Sequence, residues 1–363
     1  MMESLTTPAR ARLQPLHERW RAFWGKVQAR VAEVEAEAEA GLDELVRLNP
    51  LDTGPIGGGL AAVEARFRGL REKVEQAVSK LEQEWDEATD GLDLVGAERR
   101  QVTLAWRALQ RERDGALREV ELRCQRLLVR KQADWARLLQ PQAERECAQP
   151  RVCPQCGASF QPKLVHGTSN VVCAYCGAVN EAFVGSATAL YYGGAGVDHL
   201  ARERSFEPWV AMTEAERAFK RRRWPTEEDW QESLAQARAY WTAFYQALVA
   251  LHPGFNRTVA EAAEAKLAQP IAYDRGTDRA ARALRSEIVR LARAGETRAL
   301  QTALARDPKA DLADLAGAVL EHGDRAGAVT LLELRHARER RGEPKAAWVG
   351  EQLEDLEDHL AAR

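Results

Sequence analysis

Between Leu13 and Leu138 apolar side chains return every three or four residues, in three runs separated by turn-forming breaks. The first run is Leu13, Leu16, Trp20, Phe23, Val27, Val31, Val34, Ala38, Leu42, Leu45 and Leu48. The second is Leu60, Val63, Phe67, Leu70, Val74, Val78, Leu81, Trp85, Ala88, Leu92 and Val95. The third is Val102, Trp106, Leu109, Leu117, Val120, Cys124, Leu127, Leu128, Trp135 and Leu138. Alternating spacings of three and four draw one apolar seam along each of three long helices, and seams of that length need helical partners. Residues 49–59, dense in Pro and Gly, predict a loop, and residues 90–96 predict a softer break.

Charge placement sets the order of the three helices. The first run begins basic (Arg10, Arg12, Arg19, Arg21) and ends acidic (Glu33, Glu35, Glu37, Glu39, Asp43, Glu44). The second repeats this, from Arg66, Arg68, Arg71 and Lys73 to Glu82, Glu84, Asp86, Glu87 and Asp90. Parallel neighbours would set like charge beside like, whereas a hairpin opposes acidic and basic halves. The third run opens with Arg99, Arg100, Arg107, Arg111 and Arg113, which suits a return beside the acidic end of the second. Each surface pair is weak, but wrong pairings would accumulate repulsion. Residues 9–146 are therefore expected to form an antiparallel three-helix bundle or coiled coil, whose surface also offers a second copy of the chain a place to self-associate.

The next segment changes chemistry. Cys153, Cys156, Cys173 and Cys176 follow the pattern C-x2-C-x16-C-x2-C, with Gly157 and Gly177 after each second cysteine. A two-residue gap lets both sulfurs of a knuckle reach one ion, and glycine admits the positive φ that folds the turn over it. Short extended runs lie between and after the knuckles, at 158–172 and 178–184. Knuckle, hairpin and knuckle in this order resemble the zinc-ribbon family over residues 150–185, about a tenth of the chain. That resemblance implies one structural Zn2+ held by the four cysteines. Rubredoxins share two C-x2-C-G knuckles and hold iron, which leaves iron as the minor alternative; here the knuckles lie closer together and the second lacks a proline after its first cysteine. Four thiolates close the coordination sphere, so the site is structural rather than catalytic. Cys124 falls on the third seam as a small buried hydrophobe, and Cys147 is read as a free thiol or an exchange ligand.

Residues 186–275 form an aromatic-rich helical segment. Thr226 and Asp229 are spaced as a capping box opening a helix with Trp230, Leu234, Trp241, Phe244 and Leu248 on one face. Core packing is the expected role of Trp209, Trp224, Trp230 and Trp241, with an exposed partner-binding face as the alternative. Residues 278–363 contain an internal repeat: aligning Gly295 on Gly323 superposes Leu284 on Leu312 and Leu304 on Leu332. Leu315, Ala316, Gly323, Ala328 and Leu332 make the stretch 312–332 resemble a tetratricopeptide helix pair, although the period is 28 and the family's tryptophan, tyrosine and proline positions do not match.

The fold class is thus mainly α: a three-helix bundle, a small central β zinc ribbon and a C-terminal helical array. The 52 Lys+Arg and 55 Asp+Glu nearly cancel, so no global field gathers nucleic acid or anionic lipid. Lys163 is the only lysine or arginine between Arg151 and Glu181, and the one basic cluster, Lys220, Arg221, Arg222 and Arg223, reads as a helix C-terminus favouring cations. No apolar run suits a signal peptide or a membrane span, and paired knuckles favour reduced thiols, so the expected compartment is cytoplasmic. The sequence has no His-Glu-x-x-His, Gly-x-Ser-x-Gly or phosphate-loop motif, and its histidines lack ligand spacing. These features together predict a non-catalytic zinc-binding scaffold or adaptor for protein partners. The runner-up is a nucleic-acid-associated factor using the ribbon or the basic cluster at 220–223.

Overall fold

The computed structural model describes residues 5, 7–92, 94, 96–160, 169–182, 185–252, 255, 257–273, 276–306, 311–339 and 345–361. Among them are thirteen α-helices and two small two-stranded antiparallel sheets, so the chain is mainly α with a small central β segment. It divides into two compact units, Met1–Phe206 with Ala243–Arg257, and Glu207–Thr242 with Thr258–Arg363. The aromatic-rich stretch 186–275 contributes to both.

The first unit is built on α1 (Thr7–Leu48), α2 (Thr53–Thr89) and α3 (Ala97–Ala148). Their seams close on one another in a core that includes Leu13, Trp20, Val31, Phe67, Val74, Trp85, Leu109, Val120 and Cys124. The ion pairs fix the directions. Arg66–Glu37 and Arg19–Glu84 run α1 and α2 antiparallel, and Arg113–Glu82 does the same for α2 and α3. Gln28–Glu119, Arg123–Glu35 and Lys131–Asp43 climb together along α1 and α3, which are parallel. The hairpin order that charge placement favours is the order found.

Two local expectations do not hold. Residues 53–59 lie inside α2 rather than in a loop, because Asp52 caps the helix through the Gly54 N–H at 3.0 Å and Pro55 sits in the first turn, where its missing N–H costs nothing. Gly59 is needed there for close approach: a Cβ would come within 2.6 Å of Leu45 Cδ1 and 3.0 Å of Leu42 Cδ2. Leu48 and Leu138, both on the expected seams, are 59 % and 56 % exposed, and on α3 Ala136, Leu139 and Ala143 are buried instead. Trp135 Nε1 donates to Pro50 O at 2.9 Å, so α3 runs on past the α1–α2 turn. Beyond that point α3 is covered by α4 (Ser186–Thr188), a π-helical turn (Ala189–Gly193) and α5 (Gly196–Arg204). Arg137–Glu203 and the edge-on stacking of Trp135 on His199 hold α5 against α3.

The second unit contains most of α6 (Phe206–Arg221), the first part of α7 (Glu227–Leu251), and α8 (Val259–Tyr273) through α13 (Lys345–Ala361). Between them run α9 (Gly276–Arg293), α10 (Thr297–Arg306), α11 (Leu312–Glu321) and α12 (Arg325–Glu339). The capping box at the start of α7 is present: Asp229 Oδ2 accepts from Thr226 N and Oγ1, each at 2.8 Å. The internal repeat is exact at the level of the turn. Gly295 and Gly323 have φ of 67° and 83°. Gly295 N donates to Ala292 O and Glu296 N to Leu291 O, while Gly323 N donates to Leu320 O and Asp324 N to Val319 O. This paired closure ends α9 and α11 in the same way and starts α10 and α12, giving two helical hairpins. Their shared core holds Ile288, Leu300, Leu304, Leu315, Val319, Leu331 and Leu332, and Trp224 packs into it.

Candidate metal centre

β1 (Arg151–Val152) pairs antiparallel with β2 (Ser159–Phe160), and β3 (Ser169–Val172) with β4 (Val179–Ala182). Each pair is closed by one knuckle, and the two turns are hydrogen-bonded alike. Cys153 N donates to Ala158 O and Gly157 N to Cys153 O, both at 2.8 Å. Cys173 N donates to Ala178 O at 2.8 Å and Gly177 N to Cys173 O at 2.9 Å. Gly157 and Gly177 both take φ of 74°, the conformation that a residue with a Cβ rarely adopts.

This repeated geometry brings all four sequence-predicted ligands together. The Sγ atoms of Cys153, Cys156, Cys173 and Cys176 lie within 4.8 Å of one another. Cys153 and Cys176 are 3.7 Å apart across the two knuckles, and Cys156 and Cys173 are 3.6 Å apart. A disulfide would need a separation of about 2.05 Å. Sulfurs at about 2.3 Å from a tetrahedral zinc would stand roughly 3.8 Å apart. The spacing therefore fits a four-thiolate metal site and not a crosslink.

The backbone is also prepared for negative sulfur. The N–H groups of Cys156 and Gln155 point at Cys153 and draw its thiol down to about 6. Those of Cys176 and Tyr175 lower Cys173 in the same way. Cys156 is drawn down by the Ala158 N–H but pushed further up, to about 12, by the crowding of neighbouring thiols. Four thiols this close cannot all ionise alone, and a bound dication is the charge that would allow it. Cys153 and Cys173 are buried, whereas Cys156 and Cys176 are exposed. Asn180, which nothing in the spacing singles out, sets its carboxamide 3.5 Å from Cys153 Sγ and donates to Ala178 O at 3.1 Å.

Cys147 lies outside this cluster, 3.6 Å from Thr188 Oγ1. Cys124 is buried in the bundle, and burial pushes its thiol up to about 12. Lys163, His166, Phe183, Val184, Pro253 and Gly254 lie outside the described residues.

The base of the ribbon is clamped by residues that carry no sequence signature. Glu146, near the end of α3, accepts from Thr188 N and Thr188 Oγ1, both at 2.9 Å, and from the Ala187 N–H. Thr188 Oγ1 also lies 3.2 Å from Ala143 O. The chain thus leaves α3, makes the ribbon, and returns to a helix start fastened on α3 by one carboxylate. Partial burial raises the Glu146 carboxyl, but these donors outweigh it and hold it below its ordinary value. The stabilisation is accordingly present at neutral pH and is lost as pH falls below about 4.5. Glu146→Ala is expected to cost about 1–2 kcal/mol in urea unfolding, and to speed hydrogen exchange at the Ala187 and Thr188 amides. An unchanged exchange rate at both amides would show that Glu146 holds nothing.

No protein-family model, curated protein or solved structure is similar to this chain at a significant level.

Proposed function

We propose that this chain is a non-catalytic, cytoplasmic zinc-binding scaffold whose helical arms present surfaces to protein partners. The observation that carries the reading is the arrangement of Cys153, Cys156, Cys173 and Cys176, four sulfurs at tetrahedral spacing with backbone donors aimed at them. Zinc held there would organise a small β module, and four thiolates leave it no open position for water or substrate. Described residues between the knuckles and around them offer no second cluster of His, Cys, Asp or Glu with ligand geometry. No helix among the described residues is long and apolar enough to cross a membrane. Elemental analysis of the purified full-length protein tests the metal: about one zinc per chain is expected, and iron in excess of zinc would overturn the assignment.

The basic cluster argues against the nucleic-acid alternative, because its cations are engaged in the fold. Lys220 pairs with Glu216 at 2.6 Å and Arg222 with Asp229 at 2.9 Å. Arg223 lies over the Trp224 ring at 4.8 Å, and Arg221 is also engaged. Asp229 is desolvated by burial, yet His322, Thr226 and Arg222 together lower its carboxyl to about 2, so it stays ionised and keeps Arg222 paired. A phosphate contact made through Lys220 or Arg222 would compete with such a pair. Fluorescence anisotropy with labelled duplex and single-stranded oligonucleotides at about 150 mM salt is expected to show no submicromolar binding. Tight binding that Arg221→Glu and Arg222→Glu abolish would replace the scaffold reading with the alternative.

A further inference from the structure

The two knuckles share one backbone geometry, so side chains that differ between them at matching positions are not required by metal binding. In the first knuckle the positions before, within and after the turn are Val152, Gln155 and Ser159; in the second they are Val172, Tyr175 and Val179. Val172 and Val179 are direct cross-strand partners on β3 and β4, and Tyr175 sits on the turn that joins them. All three face solvent, at 63 %, 65 % and 80 % exposure. Among the residues whose side chains are described, Tyr175 is the one exposed aromatic residue. An exposed tyrosine flanked by two exposed valines is the kind of cluster that anchors a partner.

We infer that this face is a docking site for an extended apolar peptide segment of a partner protein, one that carries a lysine or arginine beside its apolar anchor. The inference rests on the scaffold reading above. Three features select that occupant. Three side chains offer on the order of 300 Å2, against about 800 Å2 per partner in a stable folded interface, so the patch suits a segment and is too small for a self-association face. Among the described residues β3 and β4 pair only with each other, which leaves each with an unpaired edge where an extended strand can add. Across residues 151–160 and 169–182 Arg151 is the only cation, set against Glu181 and a four-thiolate centre whose formal charge with a dication is about −2. That balance repels phosphate and attracts a basic side chain.

Panning random linear peptides displayed on phage against the full-length, zinc-containing protein tests the site. Selected peptides are expected to combine aliphatic or aromatic residues with Lys or Arg. Their affinity, measured with synthetic labelled peptides, is expected to fall about tenfold or more in Tyr175→Ser and in Val179→Ser. Val152→Ser and Ser159→Ala, at the positions of the first knuckle that match Val172 and Val179, should leave it unchanged. Failure to select any peptide, selection of acidic peptides, or binding indifferent to Tyr175→Ser would each overturn the proposal. So would self-association that Tyr175→Ser abolishes, which would make the occupant a second copy. Zinc is measured on every variant. A parent protein with little zinc would count against the scaffold reading, whereas lost peptide selection at full zinc would count against this face alone.

Discussion

Cys173→Ser is expected to reduce bound zinc from about one equivalent to well under half, and to unfold residues 151–160 and 169–182 while α1, α2 and α3 stay helical. Cys173 is buried, its sulfur lies 3.6 Å from that of Cys156, and two backbone N–H groups already favour its ionised form. Serine supplies a poorer ligand and leaves three thiolates crowded without a complete tetrahedron. Among its described residues the ribbon has two short sheets, and Val152, Val172 and Val179 face solvent. Structural zinc contributes an apparent 10–16 kcal/mol, about, to modules of this size, so its loss exceeds anything the strands can offset. Limited proteolysis with mass spectrometry should place new cleavages inside the ribbon, and far-UV circular dichroism should keep most of its helical signal. The bundle core, from Leu5 to Leu127, contains no ribbon residue among those described, which is why the two should separate. A protein that keeps its zinc, or loses its helices with it, would contradict this account.

The second large effect is expected at Trp224. This side chain is buried in the core of the helical hairpins, and its Nε1 donates to Asp314 Oδ1 at 2.9 Å. Its ring lies against α11 at Gly317, where a Cβ would come within 2.6 Å of Cζ2 and Cζ3. Trp224→Ala removes the largest apolar surface in that contact and strands the Asp314 partner. The expected loss is about 3–5 kcal/mol. For a unit of this size that corresponds to a drop in melting temperature on the order of 10 °C. Gly317→Ala approaches the same contact from the other side and should cost about 1–3 kcal/mol through overpacking, since a stacked ring cannot give way as a flexible chain end would. Thermal or urea unfolding of the full chain reads both. If Trp224→Ala costs less than about 1 kcal/mol, the ring does not pin this core.

Much of the architecture is legible in local pattern. Spacings of three and four, from Leu13 to Leu48 and from Leu60 to Trp85, specify helices whose buried residues are largely the seam residues. Their order is legible too, because charge is distributed along each helix and Glu37, Glu82 and Glu84 find Arg66, Arg113 and Arg19 only in a hairpin arrangement. The four-cysteine cluster is legible in the spacing, since each knuckle closes by contacts within six residues. Gly295 and Gly323 mark their turns for the same reason.

What tertiary structure decided lies between residues far apart in the chain. The Gly-rich start of α2 packs against α1 where Gly59 lacks a side chain, beside Leu42 and Leu45. The far end of α3 breaks its seam at Leu138 because α4 and α5 return to cover other positions, so no single stripe describes a helix buried by different partners along its length. Glu146 reaches Thr188 across the whole ribbon. Periodicity and turn chemistry record what neighbouring residues require of one another. A close approach between helices, a long-range cap or a tyrosine left in water depends on which surfaces meet, and that is set only when the chain has folded.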